Sequence, residues 1–160
     1  MKGSGLLLLC SALLAGGCRT APPAAEKYFD RLSPMGTVKL FQYAVEAKQY
    51  PAAYRCLTPE VQEELSPMLF GLFLKYGRVG ELGGMRAREL ITEAWRHPSE
   101  ERVPGEPDAR WVTLIYEADA DAPPIEVSVL LVLLGDEWLL DLKRVRGFDL
   151  GAEHAPRDLP

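Results

Sequence analysis

The chain has little of what catalysis and metal binding usually draw on. Of its 160 residues only two are histidine and three are cysteine. His97 and His154 lie far apart, and no His or Cys pair has metal-ligand spacing. No metal site and no cofactor are therefore expected. Aspartate is missing between Asp30 and Asp108, which leaves the first half without an Asp general base. The glycine-rich segment Gly77–Gly84 has the look of a phosphate loop. It lacks the Gly-Lys-Ser/Thr ending and follows no strand, so it reads as a flexible turn.

Positive charge is also in short supply. Eighteen Lys and Arg face 23 Asp and Glu, for a formal charge of −5. An acidic balance excludes nucleic acid as an expected partner, since that affinity rests on Lys and Arg. It also argues against purely electrostatic adhesion to a membrane. Neither Leu6–Gly17 nor Ile125–Leu134 reaches the roughly 20 apolar residues that span a bilayer.

What is present begins at the N-terminus. Lys2, Leu6–Leu9 and Ala12-Leu13-Leu14 are followed by small residues, the order of a secretory signal. Leu14-Ala15-Gly16-Gly17-Cys18 resembles a lipobox, where bacterial lipoproteins are acylated on Cys and cleaved just before it. The alternatives are an ordinary secretory signal with an incidental Cys18, or a short anchor. Residues 1–17 are thus expected to be a signal peptide and Cys18 the lipidated residue. The segment 18–32, with its Ala-Pro-Pro-Ala-Ala run, is expected to be a tether whose Tyr28, Phe29 and Leu32 could pack on the domain. Loss of Lys2 and no acid leaves the mature chain at −6. The lipid bilayer becomes a partner through acyl chains on Cys18, with two or three needed for firm anchoring. Arg19 stands where an inner-membrane retention signal would have Asp. The resemblance therefore implies a cell-envelope location, on the outer membrane facing the periplasm in a two-membrane envelope. Cys10 leaves with the signal, so Cys56 is a lone thiol with no internal disulfide. On an apolar helical face between Tyr50 and Leu57, it reads as a core residue and not a nucleophile.

Residues 33–146 form the expected domain, followed by a flexible tail over 147–160. Ser33-Pro34 is a helix start, with Ser as N-cap and Pro in the first turn. Val38, Phe41 and Val45 share its inner stripe, while Lys39, Glu46 and Lys48 face water. Tyr50-Pro51, Thr58-Pro59 and Ser66-Pro67 open three more short helices. The run Met68–Leu74 is too apolar to face water on all sides. Arg88–Arg96 reads as the first long strand, and His97–Pro107 as a polar connection. Arg110–Ala118 is strand-like, with Trp111, Thr113 and Ile115 on one face and Val112, Leu114 and Tyr116 on the other. A turn over Asp119–Pro124 precedes Ile125–Leu134, apolar enough for a central strand. Gly135-Asp136-Glu137 is a hairpin turn, and Trp138, Leu140 and Leu142 share a face of the next strand. Helices first and a strand meander after them predict an α+β fold, with helices packed on a curved antiparallel sheet. The core is expected to include Val38, Phe41, Val45, Val129, Leu131, Leu133, Trp138 and Leu140.

Several stretches together carry a resemblance. They are Ser33-Pro-x-x-Thr-Val-x-x-Phe41, Ala44-Val-Glu-Ala-Lys-Gln-Tyr-Pro-Ala-Ala-Tyr54, Leu57-Thr-Pro-Glu60 and Glu137-Trp-Leu-Leu-Asp-Leu142. From Ser33 to Arg146 the chain resembles the nuclear transport factor two-like superfamily. That likeness implies a cone-shaped, cystatin-like roll with a cavity. Some relatives use the cavity as an isomerase, dehydratase or epoxide hydrolase site. Others bind small molecules or pair with proteins, so fold does not decide function.

Acid–base chemistry in a cone would require converging donors and carboxylates. Tyr43 offers a phenol and Glu46 a carboxylate three residues on, while Asp141 alternates away from Leu140 and Leu142. The candidate ligand-binding residues are instead aromatic: Tyr43, Trp95, Trp111, Tyr116 and Trp138. The sequence therefore favours a non-catalytic module that binds a small apolar ligand or docks an envelope protein. The alternatives are an isomerase- or dehydratase-type enzyme and a purely structural envelope protein.

Overall fold

Proline placement divides residues 34–76 into four α-helices. A computed structural model describes residues 22–79, 85–93, 98–116 and 124–146. Helices α1 (Pro34–Glu46), α2 (Tyr50–Tyr54), α3 (Pro59–Glu64) and α4 (Pro67–Tyr76) each carry Pro in the first turn. There its missing N–H costs nothing and its fixed φ suits the helix. Ser33 caps α1 by accepting the Gly36 N–H at 3.0 Å, and Ser66 caps α4 through the Leu69 N–H. Gly77 ends α4, because a Cβ there would collide with the Phe73 carbonyl. A two-residue pairing joins β1 (Arg78–Val79) to β2 (Met85–Arg86), so Arg78 and Val79, read from sequence as part of a flexible turn, are strand.

The next element departs from the sequence reading. Arg88–Arg96 was expected to be a strand, yet Ala87–Glu93 is a helix, α5. Ala87, Leu90 and Ile91 fall at i, i+3 and i+4, and this stripe packs on α1 and α4. The expected connection His97–Pro107 instead contains β3 (Ser99–Val103), which pairs with β4 (Glu106–Tyr116). β3 is an edge strand whose charged side chains face water, so it carries no apolar alternation. β5 (Ile125–Leu134) and β6 (Glu137–Arg146) complete a four-stranded antiparallel sheet in the order β3-β4-β5-β6. Both described hairpins turn on a glycine with positive φ, Gly105 at 81° and Gly135 at 63°.

Register settles which face each strand residue takes. Val112 lies opposite Val129, and Leu131 opposite Leu140. These four therefore share the inner face, which the helices cover with Val38, Phe41, Val45, Leu57, Phe70 and Leu74. All eight expected core residues belong here, with Leu133 only partly buried. The fold is α+β, with helices on one face of an antiparallel sheet, consistent with a cone-like shape.

Backbone bonds seal β6 against the helical layer. Arg31 O accepts the Trp138 N–H, Cys56 O accepts the Leu140 N–H, and Leu140 O accepts the Thr58 N–H, all at 2.7–2.9 Å. Leu57 thereby forms a parallel bridge to Leu140. Inside, the buried Thr37 hydroxyl donates to the Trp138 carbonyl at 2.8 Å, tying α1 to the same strand.

The N-terminal segment is more than a spacer from residue 22 onward. Gln49 donates its side-chain N–H groups to the carbonyls of Pro22 and Pro23, and its side-chain oxygen accepts the Ala25 N–H. Ala25, in a 3-10 turn over Ala25–Lys27, is fully buried. Glu26 pairs with Arg55, and the backbone N–H groups and that guanidinium hold its carboxyl below the usual pKa. Of the three residues expected to pack, Phe29 does so partly, while Tyr28 and Leu32 are exposed.

Candidate functional site

The sequence-predicted aromatic residues do not gather at one place. Tyr43 is half-buried on α1, its ring against Phe29 and Tyr28 at centroid distances of 5.8 and 6.0 Å. Its hydroxyl donates to the Pro23 carbonyl at 3.2 Å, so the phenol is used to fix the N-terminal segment. Tyr116 and Trp138 are buried on the inner face of the sheet. The Arg110 guanidinium lies 5.3 Å from the Trp138 ring centroid. Trp111 occupies the opposite face, with Ala109 and Leu130 beside it and the Arg146 guanidinium 3.9 Å above its ring. Its indole N–H is buried and has no hydrogen-bond partner among the described residues. Trp95 and Cys18 lie outside the described residues, as do His97 and His154.

The candidate acid–base groups are likewise separate. Glu46 is exposed. Asp141 accepts the Lys143 N–H at 3.0 Å and the Arg144 Nε–H at 2.8 Å, where the strand bulges, so it organises backbone. Cys56 is fully buried, and desolvation pushes its thiol up to about 12. A thiol in that state is inert as a nucleophile. Among the described residues no group of three His, Cys, Asp or Glu is placed to hold a metal ion.

A different surface stands out, built by α4 and α2. In α4, Phe70 and Leu74 point inward and are about 1 % exposed. The same helix turns Met68, Leu69, Leu72, Phe73 and Tyr76 toward water, with Met68 at 70 % and Tyr76 at 63 %. Spacings of three and four residues make these a continuous outward stripe. The helix contains no acid, and its one charge is Lys75. The Lys75 ammonium sits 4.9 Å from the Tyr76 ring, and hydrogen bonding to Tyr76 raises its pKa. Between the helices runs an apolar groove of about 310 Å³. Tyr50, Pro51 and Tyr54 of α2 form one wall, and Met68, Leu72 and the stem of Lys75 the other. Gly71 lines it as well, where an added Cβ would make an ordinary 3.8 Å contact with the Tyr50 ring.

Sequence reasoning sees the excess of apolar residues in Met68–Leu74 and that the run cannot face water on all sides, but not which of them turn outward. The signal it misses is that two inward residues suffice to dock a ten-residue helix, which leaves the remaining apolar side chains on the outside. Soluble monomers seldom leave such a contiguous patch without a use for it. No protein-family model matches the chain, and neither the curated proteins nor the solved structures yield a match.

Proposed function

We propose that this chain is an exported, lipid-anchored binding module that works through the outward apolar face of α4 and α2, without catalysis of its own. The observation that carries this reading is the stripe Met68, Leu69, Leu72, Phe73 and Tyr76, exposed on a helix without acidic residues. An apolar partner covering it gains roughly 1.5–3 kcal/mol per fully buried side chain before the costs of association. The anchor at Cys18 rests on the lipobox, and the likeness to the nuclear transport factor two-like superfamily is compatible with a binding role. The inner face of the sheet gives less support to ligand binding, because side chains of α1, α2 and α4 occupy it. An enzyme reading finds no converging acid–base pair among the described residues, where Tyr43 and Asp141 are both engaged with backbone groups.

The test uses residues 18–160 with Cys18→Ser, alone and with Met68→Glu. The first should enhance the emission of an apolar dye, and Met68→Glu should reduce that enhancement several-fold with an unchanged melting temperature. Met68 lies outside the core, so the fold has no reason to respond. Equal dye binding by both proteins removes the reading.

A further inference from the structure

We infer that the apolar face of α4 rests on the surface of the same bilayer that holds Cys18, so that the domain lies against the membrane. This rests on the lipid-anchored reading and names the partner of the same face.

The first argument is chain length. Only Arg19, Thr20 and Ala21 separate Cys18 from Pro22. From Pro22 onward the chain is held to the domain by the Gln49 side chain. Four steps of at most about 3.6 Å give a reach of roughly 14 Å. A domain on so short a lead cannot stand away from the headgroups.

The second argument is position. Gln49, which holds Pro22 and Pro23, also precedes the first residue of α2. The very next residue, Tyr50, forms a wall of the apolar groove. The lead from the lipid therefore joins the domain one residue from the wall of the apolar groove.

The third argument is chemistry. The outward side chains of α4 are Met, Leu, Phe and Tyr, with Lys75 as the one charge. Those are the residue types that a helix lying in a membrane interface buries on its apolar side, while the other side of α4 is taken by the core. Tyr76 suits the headgroup level, where aromatic rings with a polar tip collect. Lys75 can lay its stem along the apolar surface and present its ammonium to lipid phosphates. A net acidic chain would be repelled by an anionic surface elsewhere, but α4 itself contributes no negative charge. At ten residues α4 is too short to cross, and no helix among the described residues is long and apolar enough to do so. Each contact alone is weak, but the anchor holds the face at a high effective concentration above the lipid. A protein partner or a second copy would also cover an apolar stripe. The place where the anchor enters is what favours lipid.

The experiment uses the mature protein purified from producing membranes, with one added cysteine at Met68→Cys or Tyr76→Cys and a control at Asp136→Cys. Cys56 is buried and resists labelling, and a lipid on Cys18 blocks that thiol. Each variant is labelled with an environment-sensitive fluorophore and reconstituted in phosphatidylethanolamine–phosphatidylglycerol vesicles, with or without nitroxide-bearing lipid. Intact mass is read first, and absence of acyl chains on Cys18 overturns the lipid-anchored reading and this inference with it. With acylation established, labels at positions 68 and 76 should shift to the blue and lose several-fold more emission to nitroxide lipid than the label at 136. Labels at 68 and 76 that stay open to aqueous iodide and untouched by nitroxide lipid overturn the membrane contact alone. Labels shielded from iodide without lipid quenching assign the face to protein, and that also overturns it.

Discussion

Cys56 shows how burial decides what a side chain can do. Its thiol is enclosed, with Sγ 3.5 Å from the Ala52 carbonyl, and desolvation raises its pKa from about 9 to about 12. In the unfolded chain the thiol ionises first, so the folded state binds more protons between those values. The contribution of Cys56 to stability is therefore complete below pH 9 and is lost as pH rises toward 12. Each pKa unit corresponds to about 1.4 kcal/mol, so the loss is on the order of a few kcal/mol. Denaturant titrations from pH 8 to pH 11 should show wild type losing stability faster than Cys56→Ala. Parallel decline of the two would mean that the thiol is not held protonated. Thr58 illustrates the other side of burial. Its sequence position before Pro59 reads as a helix cap, yet its hydroxyl has no hydrogen-bond partner among the described residues. Its backbone N–H serves the fold instead, by donating to Leu140.

Among the elements, α1 is the one on which the others converge, packing against α2, α5 and β6. Phe41 is at its centre, with its ring centroid 6.3 Å from that of Phe70. Phe41→Ala should cost roughly 3–5 kcal/mol, read as a lower urea midpoint, because the surrounding helices cannot collapse into the gap. An unchanged midpoint would show that α1 is not the keystone. β5 and β6 were legible in sequence because their apolar residues meet a covered face and their turn, Gly135-Asp136, has its own chemistry. α5 was misread because Leu90 and Ile91 fit either a short strand or a helical stripe, and only contact with α1 decides. β3 was missed for the opposite reason. Ser-Glu-Glu-Arg-Val gives an edge strand its pairing without any apolar face, so hydrophobic periodicity has nothing to report. Its Pro104-Gly105 turn was the available signal. The site was half legible, since the surplus apolarity of α4 is plain while its outward direction depends on which side the domain covers.

Across the whole molecule, the two sheet edges are guarded differently. Charged side chains line β3, and the backbone of Arg31 and Cys56–Thr58 closes β6. The N-terminal segment adds a second closure through Gln49. Gln49→Ala should remove about 1–2 kcal/mol and raise amide exchange at Ala25 at least tenfold, measured by NMR. Unchanged exchange there would mean that Gln49 does not hold the segment. The closure of β6 also bears on how the chain comes to fold as it is synthesised. Gln49 can grip Pro22 and Pro23 from fewer than thirty residues away. The Thr37 hydroxyl must wait for Trp138, 101 residues later. A chain emerging from its N-terminus therefore completes its helical layer only when the final hairpin arrives. Until then the backbone groups that Arg31, Cys56 and Thr58 direct at β6 have no strand to meet, and the Thr37 hydroxyl has only the Ser33 carbonyl of its own helix. A stop codon shortly before residue 137 would remove every one of those partners at once, leaving Arg31, Cys56 and Thr58 without the strand their backbone groups meet.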